Sequence, residues 1–169
     1  CVILAGVAVL WARQALRSIL ERLDLSSTRV SIVAFYTTAK PVVIDTWDLN
    51  VVNNILDDLP LEYAFKEGPT AMYTGVREAA ALATPWPRGS TTLVIVSDGD
   101  TIPATGMPKL PDSIAHVLVV GVGDTQSGKF IDGHQSRQDA STLRQMATRL
   151  NGHYHNGNEK QIATDLLKQ

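Results

Sequence analysis

Two aspartates stand directly after a run of β-favouring residues. Thr92–Val96 is such a run, and Ser97, Asp98, Gly99 and Asp100 follow it without interruption. The pattern predicts a buried central strand of a parallel sheet. Ligands of open α/β sheets bind in the crevice outside the carboxyl ends of the strands. Asp98 is therefore the first candidate functional residue, although an Asp-Gly pair is also a common turn signal.

A hydroxyl side chain is expected at the same crevice. Gly68, Pro69 and Thr70 open the predicted helix that leads into the central strand. Thr70 would then present its hydroxyl, and Asp98 its carboxylate, to one small polar hollow. Oxygen ligands of this kind suit a hard divalent cation, Mg²⁺ or Mn²⁺, better than Zn²⁺. The predicted metal ligands are Thr70 and Asp98, and the predicted rim of the site comprises Gly68, Ser97, Gly99 and Asp100.

The elements that must position these residues alternate between strand and helix. Strands are predicted at 2–5, 29–35, 41–47, 92–96, 116–122 and 152–156, and helices at 7–23, 49–59, 70–83, 139–150 and 159–167. Residues 60–69 and 123–138 are predicted to be loops, and Asp139 or Ser141 is predicted to cap the fourth helix. Pro41 and a short connection predict that the third strand pairs antiparallel at an edge. This order predicts an α/β fold with a doubly wound, mostly parallel six-stranded sheet, one antiparallel edge strand and helices on both faces.

Composition limits the classes of function. The 169 residues fit a single domain that buries a core of ordinary size. A net charge of −2 and the lack of a Lys/Arg run argue against a nucleic-acid partner. The apolar opening, residues 1–12, is well short of the roughly 20 residues of a membrane-spanning helix. Because the chain opens in a strand at Cys1, we expect it to be a fragment of a longer protein.

The junction after the first predicted strand is unusually short. Strand-to-helix connections in α/β units take about two to six residues, and Gly6 alone stands between Ala5 and Val7. Either the strand is very short and the first helical turn is loop, or residues that belong between Ala5 and Val7 are absent from this sequence.

Five segments together resemble a known family in their order and spacing. They are VSIVAF, GPTAMYTGVREAA, TTLVIVSDGD, HVLVVGVG and LRQMATRLNGHYHNGNEKQIATDLL. The chain resembles a von Willebrand factor A (vWA) domain, and most closely the Bat-like kind found in bacterial membrane-associated aerotolerance-operon proteins. The resemblance covers nearly the whole chain and implies a Rossmann-like fold.

The resemblance also implies a metal-ion-dependent adhesion site built from three loops. It places the threonine of the second loop on Thr70, with Gly68-Pro69 in place of paired glycines, and the aspartate of the third loop on Asp98, which acts through water. The first loop, Asp-x-Ser-x-Ser, is expected between Ala5 and Val7, where this sequence has only Gly6. Either the natural protein carries this loop, or the domain has lost its metal site. The first account is favoured because the short junction and the missing motif coincide.

Binding rather than catalysis is the activity that the resemblance implies. The cation keeps one coordination position open for a Glu or Asp of another protein, and the family suggests a bacterial cell-envelope location, a membrane tether outside this fragment and a MoxR-type AAA+ ATPase system as partner. One alternative is a metal-free assembly module that has lost the first metal loop. Another is a metal-dependent phosphoester-processing enzyme. The sequence shows neither a phosphate-cradling glycine loop nor a Ser/His/Asp or Cys/His arrangement, so we predict that the chain is not an enzyme.

Three further residues could hold a metal but are better interpreted as structural. His153 and His155 are spaced for one face of a strand, yet no third zinc ligand is evident, so surface histidines on an edge strand are expected. Asp124, at the end of the strand after the central one, is interpreted as a turn residue on the same rim.

Overall fold

A six-stranded sheet organises the part of the chain that the structure describes. The structure is a computed structural model, and it describes residues 1–6, 9–24, 26–58, 70–99, 102–123, 129–131, 134–136 and 138–157. In chain order the elements are β1 (Val2–Gly6), α1 (Val9–Leu20), β2 (Val30–Phe35), β3 (Ala39–Thr46), α2 (Leu49–Asp58), α3 (Met72–Ala83), β4 (Thr91–Ser97), β5 (Ile114–Gly121), β6 (Lys129–Ile131), β7 (His134–Ser136), α4 (Ala140–Arg149) and β8 (His153–Asn156).

The strand order confirms the predicted doubly wound sheet. The six strands lie in the order β3-β2-β1-β4-β5-β8. All neighbours are parallel except β2 and β3, which pair antiparallel. In the centre, Ala5 of β1 lies opposite Ala34 of β2 on one side and Val96 of β4 on the other. The carboxyl ends of β2, β1 and β4 therefore meet at one edge of the sheet.

Burial on both faces explains why the central strands read as continuous apolar runs. In β4, Val94 and Val96 pack into one core cluster, whereas Leu93 and Ile95 pack into the other. Helices α1 and α2 supply the first cluster, and α3 and α4 supply the second. A strand covered on both faces has no polar side to expose, so its side chains alternate between two cores.

The antiparallel edge strand is β3, as Pro41 predicted. Pro41 pairs with Val33, and the register shifts twice along the ladder toward Val30. Asp45 has a positive φ of 52° near this irregular end of the strand. A proline and a bulge both disfavour the addition of a further strand, which is how natural sheets protect their edges.

One predicted loop contains regular structure. Residues 123–138 were expected to form a surface loop, but β6 and β7 pair antiparallel within them as a separate two-stranded sheet. Strands of three residues that pair only with each other carry too little hydrophobic pattern to be recognised in a sequence. The predicted loop 60–69 and the closing helix 159–167 lie outside the described residues.

Helix boundaries differ from the expectations by two or three residues at several ends. Helix α1 runs from Val9 to Leu20 rather than over 7–23, and α3 begins at Met72 rather than at Thr70. None of the helices in the described ranges combines the length and the hydropathy that crossing a membrane requires.

Candidate metal site

The loop after β4 is held in a tight turn. The buried Ser97 hydroxyl accepts a hydrogen bond from the Gly99 backbone N–H at 3.1 Å and lies 3.5 Å from Asp98 Oδ1. Gly99 has a φ of +80°, which disfavours residues with a Cβ. Asp98 is half-buried at the end of the strand. Ser97 and Gly99 therefore hold the backbone of this loop, and the Asp98 carboxylate lies at the carboxyl edge of the sheet.

Thr70 lies beside the end of β2. The backbone N–H of Ala71 donates a hydrogen bond to the carbonyl oxygen of Tyr36, which directly follows β2, at 2.6 Å. Ala71 is the N-cap residue of α3 and provides no side-chain cap. Thr70, half-buried, precedes this cap. The predicted second-loop residue is thus tied to the same sheet edge as Asp98 through one backbone contact.

Strand β1 separates the two predicted ligands. Because β1 pairs with both β2 and β4, Thr70 and Asp98 lie on either side of its end. Neighbouring strands are about 4.8 Å apart, so the ends of β2 and β4 are roughly 10 Å apart across the sheet. Thr70 and Asp98 therefore follow or adjoin strands that end at the same edge of the sheet, and their meeting in one site stays a prediction.

The end of β1 contributes no side-chain oxygen to this crevice. The strand closes at Gly6, α1 begins at Val9, and the two residues between them are Val7 and Ala8. Across the described ranges no three His, Cys, Asp or Glu side chains form a group that could hold a metal. The hydroxyl and carboxylate donors present among the described residues are of the kind that Mg²⁺ and Mn²⁺ prefer, but they are too few to hold such an ion by themselves.

Two neighbours of Asp98 were not predicted as parts of the site. The backbone N–H of Asp139 donates to the Asp98 carbonyl oxygen at 2.7 Å. Gly123, with a φ of +101°, lies close enough that an added Cβ would be 4.0 Å from the Asp98 Cβ. The sequence named Asp139 or Ser141 as the helix cap, and the structure shows that Asp139 is the cap. Gly68, Asp100 and Asp124 lie outside the described residues, so their predicted roles remain predictions.

The two histidines of β8 are not equivalent. His153 is exposed, as expected of an edge strand, whereas His155 is only half exposed. The Nε2 atom of His155 is buried and makes no hydrogen bond within the described part of the chain. His153 pairs with Leu118 of β5, and His155 pairs with Val120. The side chains of both β5 residues belong to the core cluster under α1 and α2. For His155 the expectation of a surface histidine is therefore only partly met.

This architecture also occurs in proteins of known structure. No protein-family model and no curated protein matches the chain. Solved structures do match, and two of them come from Bacteroides species. An aerotolerance-related membrane protein from Bacteroides fragilis NCTC 9343, solved with multiple mutations to serine, is 16% identical with a TM-score of 0.72. The alignment covers 99% of this chain and 94% of that one. BatB from Bacteroides thetaiotaomicron is 15% identical with a TM-score of 0.73, covering 99% and 92%.

A third structure matches over most of its length. The manganese-loaded TRAP protein of Plasmodium vivax is 13% identical with a TM-score of 0.60, and the alignment covers 98% of this chain and 71% of that one. A von Willebrand factor type A protein from Catenulispora acidiphila also matches, with a TM-score of 0.59. The chain has the vWA fold. Identities this low show the fold alone, so the site of this vWA-fold chain must be judged by its own residues.

Proposed function

We propose that this vWA-fold chain is a protein–protein interaction module that binds its partner through a divalent cation, Mg²⁺ or Mn²⁺. The observation that supports the proposal is that Asp98 directly follows β4 while Ala71, next to Thr70, bonds to Tyr36 directly after β2, so both segments reach the carboxyl ends of the central strands. This is the place where open α/β sheets bind their ligands.

The donor set explains why binding is the favoured activity. Thr70 would hold the cation through its neutral hydroxyl, and Asp98 would hold it through water. A cation bound mainly by neutral ligands keeps enough positive charge to attract a carboxylate from outside. We therefore propose a Glu or Asp side chain of another protein as the group that completes the coordination.

By analogy, the matched structures support the proposed cation and the proposed cellular location. One of them is manganese-loaded, which supports Mn²⁺ as a probe for this chain. Two come from proteins named as aerotolerance-related or Bat proteins, one of them as a membrane protein. On these grounds we propose a bacterial envelope location next to a membrane, with a MoxR-type AAA+ ATPase system as a candidate partner.

Calorimetric titration of Mn²⁺ into the purified chain and two variants tests the proposal. We expect Asp98→Ala to abolish binding while the circular dichroism spectrum and unfolding midpoint stay close to those of the wild type. Asp112→Ala is the matched control, because Asp112 is 85% exposed and lies before the amino end of β5, at the opposite edge of the sheet. Equal Mn²⁺ affinity in wild type and Asp98→Ala would remove the assignment. A wild type that binds no Mn²⁺ would favour the metal-free assembly module.

A further inference from the structure

Asp139 contacts the Asp98 loop through its backbone and caps α4 through its side chain. Its N–H donates to the Asp98 carbonyl oxygen at 2.7 Å. Its carboxylate accepts hydrogen bonds from the backbone N–H groups of Ser141 and Thr142, at 3.1 and 3.0 Å. The hydroxyls of the same two residues also donate to it, at 2.8 and 2.6 Å. One residue therefore joins the start of a helix to the loop that carries the candidate metal ligand.

A second contact joins the same two segments. Gly99 packs so closely on α4 that an added Cβ would lie 2.7 Å from Leu143 Cγ and 3.0 Å from the Asp139 carbonyl oxygen. Leu143 itself is fully buried. The loop cannot move toward α4, because the helix already fills that space. The start of α4 thus restrains the Asp98 loop in two ways, by a hydrogen bond to Asp98 and by close packing against Gly99.

The residue before Asp139 anchors this junction to the sheet. Gln138 is 4% exposed, and its Nε2 donates a hydrogen bond to the Tyr154 hydroxyl of β8 at 2.8 Å. Its amide occupies the space above Gly121, where a Cβ would lie 2.0 Å from Nε2. The start of α4 is therefore held against the end of β5 at Gly121 and against Tyr154 of β8, and from there it supports the Asp98 loop.

From these contacts we propose that Asp139 is a positioning residue for Asp98. By capping α4 it fixes its own backbone N–H, and that N–H sets the direction of the Asp98 backbone and so of its carboxylate. The role in cation binding rests on the proposed function, whereas the mechanical coupling of the two segments does not. Loss of the cap should therefore loosen the Asp98 loop even in the absence of a metal.

Two variants separate the cap from the charge. Asp139→Ala removes the capping oxygen, whereas Asp139→Asn retains one, since asparagine caps helices about as well as aspartate. The first readout is hydrogen exchange of the Gly99 amide, normalised to that of the Ile95 amide in the core of β4. The second is the Mn²⁺ affinity measured by calorimetry.

We expect Asp139→Ala to weaken Mn²⁺ binding by about tenfold or more, as for residues that orient metal ligands, and to speed Gly99 exchange relative to Ile95. Asp139→Asn should stay close to the wild type in both. Unchanged Gly99 exchange in Asp139→Ala, or an unchanged Mn²⁺ affinity where the wild type binds the ion, would overturn the proposal. If the wild type binds no Mn²⁺, the proposed function fails, and the Gly99 exchange alone decides the positioning role.

Discussion

The backbone N–H of Ala71 donates a 2.6 Å hydrogen bond to the carbonyl oxygen of Tyr36. This contact places the start of α3 against the end of β2 and brings Thr70 to the edge of the sheet where Asp98 lies. Neither partner uses its side chain, so the position of Thr70 depends on the backbone of the β2–β3 connection. The candidate site is accordingly an assembly of three chain segments around the end of β1.

Removal of the Thr70 hydroxyl should weaken cation binding. Because the hydroxyl is the proposed direct ligand, we expect Thr70→Ala to lower Mn²⁺ affinity by about tenfold or more. Thr70→Ser keeps the hydroxyl and should bind nearly as well as the wild type. Calorimetric titration of both variants checks this, and equal affinities for Thr70→Ala and Thr70→Ser would show that the hydroxyl is not a ligand.

An added first loop should strengthen cation binding. Insertion of an Asp-x-Ser-x-Ser segment between Gly6 and Val7 would add carboxylate and hydroxyl donors at the end of β1, and affinity for hard cations rises with the number of charged oxygen ligands. We expect Mn²⁺ to bind about tenfold more tightly or better. An insertion of equal length with alanine at the Asp and Ser positions is the control, and equal affinities in the two insertions would contradict the proposed geometry.

The core under the site should be sensitive to truncation. Phe35 is fully buried at the end of β2, so Phe35→Ala should lower the free energy of unfolding by about 3–5 kcal/mol. Val51, which is 42% exposed on α2, provides a control, since Val51→Ala should change that free energy by no more than about 0.5 kcal/mol. Urea unfolding monitored by circular dichroism measures both. Similar losses for the two variants would show that Phe35 is not a core residue.

A buried tyrosine ties the loop after the candidate site to α3. The Tyr73 hydroxyl donates to the carbonyl oxygen of Pro103 at 2.5 Å, and Tyr73 is 5% exposed. Tyr73→Phe should lower the free energy of unfolding by about 1 kcal/mol, because the ring stays and one hydrogen bond is lost. Urea unfolding of the variant checks this. A stability equal to that of the wild type would show that the bond contributes nothing to the folded state.

Low pH should lower the stability of the fold, because it protonates the Asp139 side chain that caps α4. Hydrogen bonds from the side chain and backbone of Thr142, and then from Ser141, lower the pKa of Asp139 from 3.8 to about 2. Because this pKa is depressed in the folded state, the ionised carboxylate stabilises the fold above pH 3.8, and the contribution is lost as the pH falls toward about 2. Asparagine caps without titrating, so the wild type should lose stability relative to Asp139→Asn over this range.

Thermal unfolding midpoints between pH 5 and pH 2 test this prediction. The difference between wild type and Asp139→Asn should change with pH only in the acid part of the range. Asp24→Asn offers a second case of the same sign, since hydrogen bonds from Ser26 lower the pKa of Asp24. Midpoints of wild type and Asp139→Asn that run parallel throughout would contradict the assignment of the cap.

The sheet was predictable because its strands carry strong local signals. Continuous apolar runs marked β2, β4 and β5 as buried on both faces, and Pro41 marked β3 as the antiparallel edge. Asp98 was predictable for a related reason, since it directly follows the end of a recognisable central strand. These features depend on residue types that are neighbours in the chain, so the sequence displays them directly.

Contacts between distant backbone groups were not predictable. The hydrogen bonds from Ala71 to Tyr36 and from Asp139 to Asp98 leave no trace in side-chain pattern. The close fit of Gly99 on Leu143 depends on how α4 packs, which follows from the whole sheet. Asp139 could be identified as one of two possible caps, with Ser141, from its position before an amphipathic run. Its contact with the site required the structure.

The location of bound Mn²⁺ tests the central proposal most directly. In a two-dimensional ¹H–¹⁵N NMR spectrum, substoichiometric Mn²⁺ should broaden the amide signals of Ala71 and Gly99, which flank the proposed ligands. The amide of Gly89, which bonds to the Asp112 carbonyl before the amino end of β5, should keep its intensity. Broadening that is absent, or equal at Gly89 and Gly99, would contradict a cation site at the ends of β2, β1 and β4.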